Sequence, residues 1–236
     1  MRQITEALFS MQDEKYRAFH GALMPTVERE RIIGVRMPAL RRYAAALAKK
    51  PEAALFLLEL PHTYYEENNL HALLLMREKD FDVLMPQLER FLPEIDNWAT
   101  CDLFKPACFA QNRKGLLPYL SEWLRSDRPY TVRFAIEMLM THYLREDFSP
   151  EYPAWVAAVS SEHYYVRMMQ AWYFATALAF RYEELLPYLT QERLSPWVRQ
   201  KTIQKAVESL RLSPAQKDEL KALRREAPPR NTSCSG

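Results

Sequence analysis

Glycine is nearly missing from this chain, with four in 236 residues. Sheet proteins draw on glycine for hairpin turns and bulges, so such a poor supply argues against an all-β fold. Cysteine is scarce too. Cys101, Cys108 and Cys234 form no Cys-x-x-Cys pair and leave an odd count, which fits a reducing compartment better than a disulfide framework. The five histidines are scattered without metal-ligand spacing, so no metal is expected. No run approaches the ~20 apolar residues of a membrane helix, and the polar stretch from Met1 to His20 lacks the apolar core of a signal peptide. The chain reads as cytoplasmic, with no membrane partner. A net charge of +2 is too slight to name a partner. A nucleic-acid binder with this balance has to gather its cations on one surface.

Strong helix formers fill the space that glycine leaves: Leu, Ala, Glu, Arg and Met are abundant. The sixteen prolines suit an all-helical chain if they sit in first turns and loops. Four of them recur at steps of 32, 35 and 34 residues, at Pro86, Pro118, Pro153 and Pro187, each inside an apolar segment such as Leu117-Pro118-Tyr119-Leu120. A period in the thirties marks stacked helix pairs. The fold expected is therefore an all-α solenoid of antiparallel helix pairs with a concave face. Helices are expected over 4–23 (one helix or a broken pair), 38–50, 52–59, 64–77, 80–92, 95–110, 113–125, 129–144, 150–159, 163–179, 182–189, 194–210 and 214–225. No internal linker interrupts them, so residues 1–225 read as one domain. The polar, aperiodic stretch 226–236, with its Pro-Pro pair and Cys234, reads as a disordered tail.

Val-Arg pairs follow three of the spaced prolines: Val132-Arg133, Val166-Arg167 and Val198-Arg199. Equivalent repeat positions thus carry arginine, and stacking would bring them into register. The first repeat carries Trp98 and Asp102 instead, four residues apart and so on one helix face. Trp172 lies two repeats on. If the repeats stack in register, Trp98, Asp102, Arg133 and Trp172 line one groove. The same residues also admit a plainer reading. A tryptophan in such an array is by default a packing residue, an aspartate can be a cap or a solvated side chain, and the arginines can pair with acids on adjacent helices. Trp123, Trp155 and Trp197 are read as core or rim.

Four segments taken together resemble the AlkD family of DNA alkylation repair glycosylases over residues 5–210. They are Ile33-Gly34-Val35-Arg36-Met37-Pro38-Ala39-Leu40-Arg41, Asn97-Trp98-x-x-x-Asp102, the Val-Arg helix at 132–140, and Val166 to Trp172. The resemblance implies a HEAT-like repeat fold with a concave DNA-binding face. It also implies an active cleft made by Trp98, Asp102, Trp172 and Arg133. Some members carry two adjacent aromatics at the first site, where this chain has Asn97. The activity implied is monofunctional hydrolytic release of cationic N3- or N7-alkylated purines from duplex DNA, without a cofactor and without flipping the base into a closed pocket.

That chemistry needs little from the protein. The leaving base is already cationic, and one ionised aspartate beside the sugar can stabilise the oxocarbenium ion and orient water. Indole faces can hold the lesion by cation–π contact, each worth about 0.5–2 kcal/mol. The catalytic candidates are thus Asp102, Trp98 and Trp172. The DNA-binding candidates are Arg133, Arg167, Arg199, Lys201 and Lys205, joined by Arg113 and Lys114. Residues 199 and 201 lie about 200° apart on a helix, whereas Lys201 and Lys205 share a face. Lys105 is the one lysine near Trp98, and no lyase activity is expected of it. A monomer working at the nucleoid is the form expected. Two other functions fit the same residues: binding of damaged or branched DNA without excision, which some branches of the family show, and a scaffold for a protein partner.

Overall fold

The computed structural model describes residues 2–225, so the tail expected over 226–236 lies outside the described residues. Among the described residues there are fourteen α-helices: α1 (Arg2–Phe9), α2 (Glu14–Ala22), α3 (Met37–Leu47), α4 (Glu52–Leu58), α5 (Tyr65–Leu75), α6 (Phe81–Phe91), α7 (Trp98–Leu103), α8 (Arg113–Trp123), α9 (Pro129–His142), α10 (Glu151–Ala158), α11 (Tyr164–Leu178), α12 (Tyr182–Thr190), α13 (Pro196–Glu208) and α14 (Pro214–Arg225). They contain no β-strand, and the one isolated bridge joins Gln12 to Val35. The fold is all-α, with helices in the repeat-like series that the sequence period implies. None of the helices is long and apolar enough to cross a membrane.

Caps and prolines set most helix starts. Asp13 accepts from the Tyr16 N–H at the start of α2, Asp80 caps α6, Asn97 caps α7 and Ser195 caps α13. Proline occupies the first turn of α3, α9 and α13, where its fixed φ suits a helix and no N–H is lost from the ladder.

Three of the four spaced prolines do not follow that rule. Pro86, Pro118 and Pro187 lie inside α6, α8 and α12, each the sixth residue of its helix. A proline there cannot donate to the carbonyl four residues back. Pro86 and Pro118 are exposed, so the loss falls on the side that water can serve. The expected helix over 95–110 is also divided. Pro106 disfavours helical backbone at Lys105, α7 stops at Leu103, and a short 3-10 turn follows at Ala107–Ala110.

The chain forms two compact units, one ending at Leu117 and one beginning at Pro118. In the first, α3 packs on α5 and α5 on α7. Ile4, Leu8, Leu40, Phe56 and Leu70 belong to one core cluster there. Every residue of α5 is buried, including the run Glu66-Glu67-Asn68-Asn69. Buried polar groups need partners, and Glu66 finds them in a loop. Its carboxylate accepts from the N–H groups of Ile33 (2.8 Å), Gly34 (2.7 Å) and Val35 (3.2 Å). Gly34 has φ +96°, and a Cβ there would stand 2.6 Å from the Arg17 Cβ, so only glycine fits this turn.

In the second unit α11 is central. It packs against both α9 and α13, and α13 carries α14. The shorter helices α10 and α12 rest on α11. Residues Tyr130 to Leu139 of α9 are all buried.

Candidate functional site

Helix α7 has six residues, too few to hold itself together, and its start is fixed by side chains. Asn97, fully buried, accepts the Thr100 N–H at 2.8 Å and donates to Asp96 at 2.9 Å and to the Thr100 hydroxyl at 3.0 Å. That hydroxyl donates to Asn69 of α5 at 2.9 Å. Asp96 is itself held by Arg31, with Nη1 to Oδ2 at 2.7 Å. Asn97 is therefore the anchor of the helix bearing the candidate catalytic pair.

Trp98 is half-buried and leans on a cluster of Met24, Val27, Ile32 and Tyr65. Its indole N–H donates to the carbonyl of Leu23, the C-cap of α2, at 3.1 Å. Asp102 is half-buried in the last turn of α7. The four-residue spacing puts the two side chains on one face. Lys105 follows on the exposed turn.

In the second unit two tryptophans are flanked by cations. Trp172 of α11, 37% exposed, is approached by the Arg133 guanidinium of α9, 5.6 Å from the ring centroid, and by the Lys205 ammonium of α13 at 4.7 Å. Trp197 of α13 is approached by Arg167 of α11 at 4.7 Å and by Lys201 at 6.0 Å. Tyr164, largely exposed, stands edge-on to Trp197 at 5.8 Å. Three packed helices thus bring Arg133, Trp172, Lys205, Arg167, Trp197 and Lys201 into one strip. Burial lowers the Lys205 pKa, and Lys201 adds to the lowering while Glu208 opposes it.

The five cations differ in what they touch. Arg133 is 2% exposed and donates to the Tyr165 carbonyl at 2.7 Å. Arg199 sits apart from the strip. Its Nε donates to the Leu189 carbonyl at 2.6 Å and its Nη2 to the Leu223 carbonyl at 3.0 Å, joining the ends of α12 and α14. Arg167, with its side chain 21% exposed, pairs with the exposed Glu162 at 2.6 Å, a contact that solvent screens heavily. Lys201 and Lys205 are half-buried, and Lys201 donates to Gln204 at 3.1 Å. Arg113 closes on the Ala110 carbonyl at 2.9 Å, and Lys114 is exposed.

Two members of these arrangements escape sequence reasoning. Trp197 reads as core or rim, although its position one residue before Val198-Arg199 could have marked it as part of the repeated segment. The Glu66 to Asn69 run carries no motif that singles it out, yet it supplies Asn69 to α7 and Glu66 to the Gly34 turn.

The second unit thus lodges cations on two indoles, and the first sets a carboxylate and a tryptophan on one helix face. The family model described as "DNA alkylation repair enzyme" matches residues 4–207, and the chain belongs to that family. A search of curated proteins finds no match.

Proposed function

We propose that this DNA repair protein is a monofunctional glycosylase that hydrolyses the N-glycosidic bond of positively charged N3- and N7-alkylated purines in duplex DNA. The observation that carries the reading is the pairing of one half-buried carboxylate, Asp102, with an indole one helical turn away that is fixed at its N–H. A purine alkylated at N3 or N7 departs with the bonding electron pair and becomes neutral, so no general acid is called for. Positive charge passes to the sugar. There Asp102 stabilises it and orients the water whose oxygen bonds to C1′. That water releases its proton, leaving a free alkylpurine and an abasic deoxyribose.

Trp98 and Trp172 supply faces for the cationic base and sugar. Arg167, Lys201 and Lys205 supply phosphate contacts. Arg133 belongs with Trp172, whose ring it approaches, and Arg199 contributes to DNA binding through the helix ends that it joins. In this reading residues 1–225 act as one domain on the duplex. The protein acts as a monomer at the nucleoid, without metal or cofactor.

A second reading, binding of damaged or branched DNA without excision, draws support from the two cations already lodged on Trp172. One experiment separates the readings: release of free 7-methylguanine and 3-methyladenine from methylated duplex under single-turnover conditions. Release by the parent protein, with loss of at least ~100-fold in Asp102→Asn and unchanged duplex affinity, supports excision. Release equal to the spontaneous rate, with DNA still bound, selects the binding reading. Undiminished release by Asp102→Asn removes the carboxylate from the mechanism.

A further inference from the structure

The ammonium of Lys205 lies 4.7 Å from the centroid of Trp172, where a cationic base would lie if Trp172 serves as proposed. Two like charges cannot share one indole face without repulsion. The two cations on this ring are held differently. Arg133 is 2% exposed and tied to the Tyr165 carbonyl. Lys205 is half-buried and forms no ion pair among the described residues, Glu208 acting on it from farther off, and its four-carbon stem can swing without disturbing α13. A cation–π contact holds the ammonium less strongly than a charge-assisted hydrogen bond to a phosphate would.

We infer that Lys205 is a stand-in cation, covering Trp172 while no DNA is bound and drawn off the ring by a DNA phosphate, so that the indole is uncovered only for a base delivered on a nucleic-acid backbone. Lys205 is then a specificity-determining residue. A free methylated nucleoside brings the cation but not the phosphate, and so meets a covered ring. The inference rests on the proposed role of Trp172 but not on excision.

Reductive methylation with 13C labels each lysine amine and preserves its charge. Methyl protons above an indole are displaced upfield by the ring current, so Lys205 should give one displaced resonance. That resonance should vanish in Lys205→Arg, which assigns it, and return to the ordinary position in Trp172→Leu. Saturation with an undamaged duplex, with binding checked by gel shift on the same sample, should move it to the ordinary position. A saturating cationic N7-methylated nucleoside should leave it displaced. An ordinary position in the free protein, or a displaced resonance that persists in the bound complex, overturns the inference while leaving the glycosylase reading intact. Failure to bind any duplex overturns both. Because undamaged DNA offers nothing to excise, loss of excision alone does not alter the outcome.

Discussion

Between Phe56 and Phe91 two imidazoles lie in series. His62 stacks on Phe56 at 4.4 Å, His71 on Phe91 at 4.3 Å, and the two share a hydrogen bond of 2.9 Å from ring nitrogen to ring nitrogen. Burial holds His62 down at about 4, against the opposing pull of Glu67, and holds His71 lower still. In the unfolded chain each imidazole takes up a proton near pH ~6.5. Their contribution to stability is therefore present above about pH 6.5 and is lost as pH falls from there toward about 4, by up to about 1.4 kcal/mol per pH unit for each imidazole. Urea unfolding near neutrality and again at about pH 5 should show the drop, and His71→Leu should flatten it. An equal drop in that variant would assign the pH dependence elsewhere. Nothing in the spacing of His62 and His71 foretells the pair, because its members come from a loop and from α5 and its stacking partners from α4 and the end of α6.

At the scale of the element, α7 depends on groups outside itself. Replacing Asn97 with alanine removes the cap and leaves the Thr100 N–H without its acceptor, at a cost of about 1–2 kcal/mol. Because Trp98 is the first helical residue, the same change should lower excision more than it lowers duplex affinity. Thermal unfolding together with single-turnover release checks both. Excision at the parent rate in a destabilised protein would mean that the cap serves the fold alone. The spacing of Trp98 and Asp102 made their shared face legible in the sequence. The brevity of α7 was hidden by the apolar pattern that runs on past Leu103, although Pro106 marks the break. Helix existence was legible because period and composition agree. The placement of Pro86, Pro118 and Pro187 was not, because an exposed carbonyl can bond to water and a helix then tolerates a proline beyond its first turn.

Across the whole molecule, the repeat period announced stacked helices and equivalent arginines, but it could not say what each arginine would touch. Arg133, Arg167 and Arg199 occupy matching sequence positions, yet one is buried beside an indole, one lies on a second indole, and one joins helix ends. The difference comes from neighbours far along the chain, which a local motif does not encode. Trp172 and Lys205 illustrate the same point, since their contact depends on how α11 and α13 meet.

The tie between Arg199 and the Leu223 carbonyl has a consequence for how the chain opens. In a serial array each element is secured chiefly by its neighbours, and α14 packs on α13 whereas α11 packs on both α9 and α13. Amide hydrogen exchange should therefore be slowest along α11 and quicker along α14. In Arg199→Ala, the protection of α14 should fall by roughly one to two orders of magnitude, the equivalent of about 1.5–3 kcal/mol for a charged hydrogen bond, while α5 keeps its own. Unchanged exchange along α14 would show that its apolar contacts alone hold it. The arginine then acts as a clasp between α12, α13 and α14, deciding how often α14 is open to solvent and to proteases.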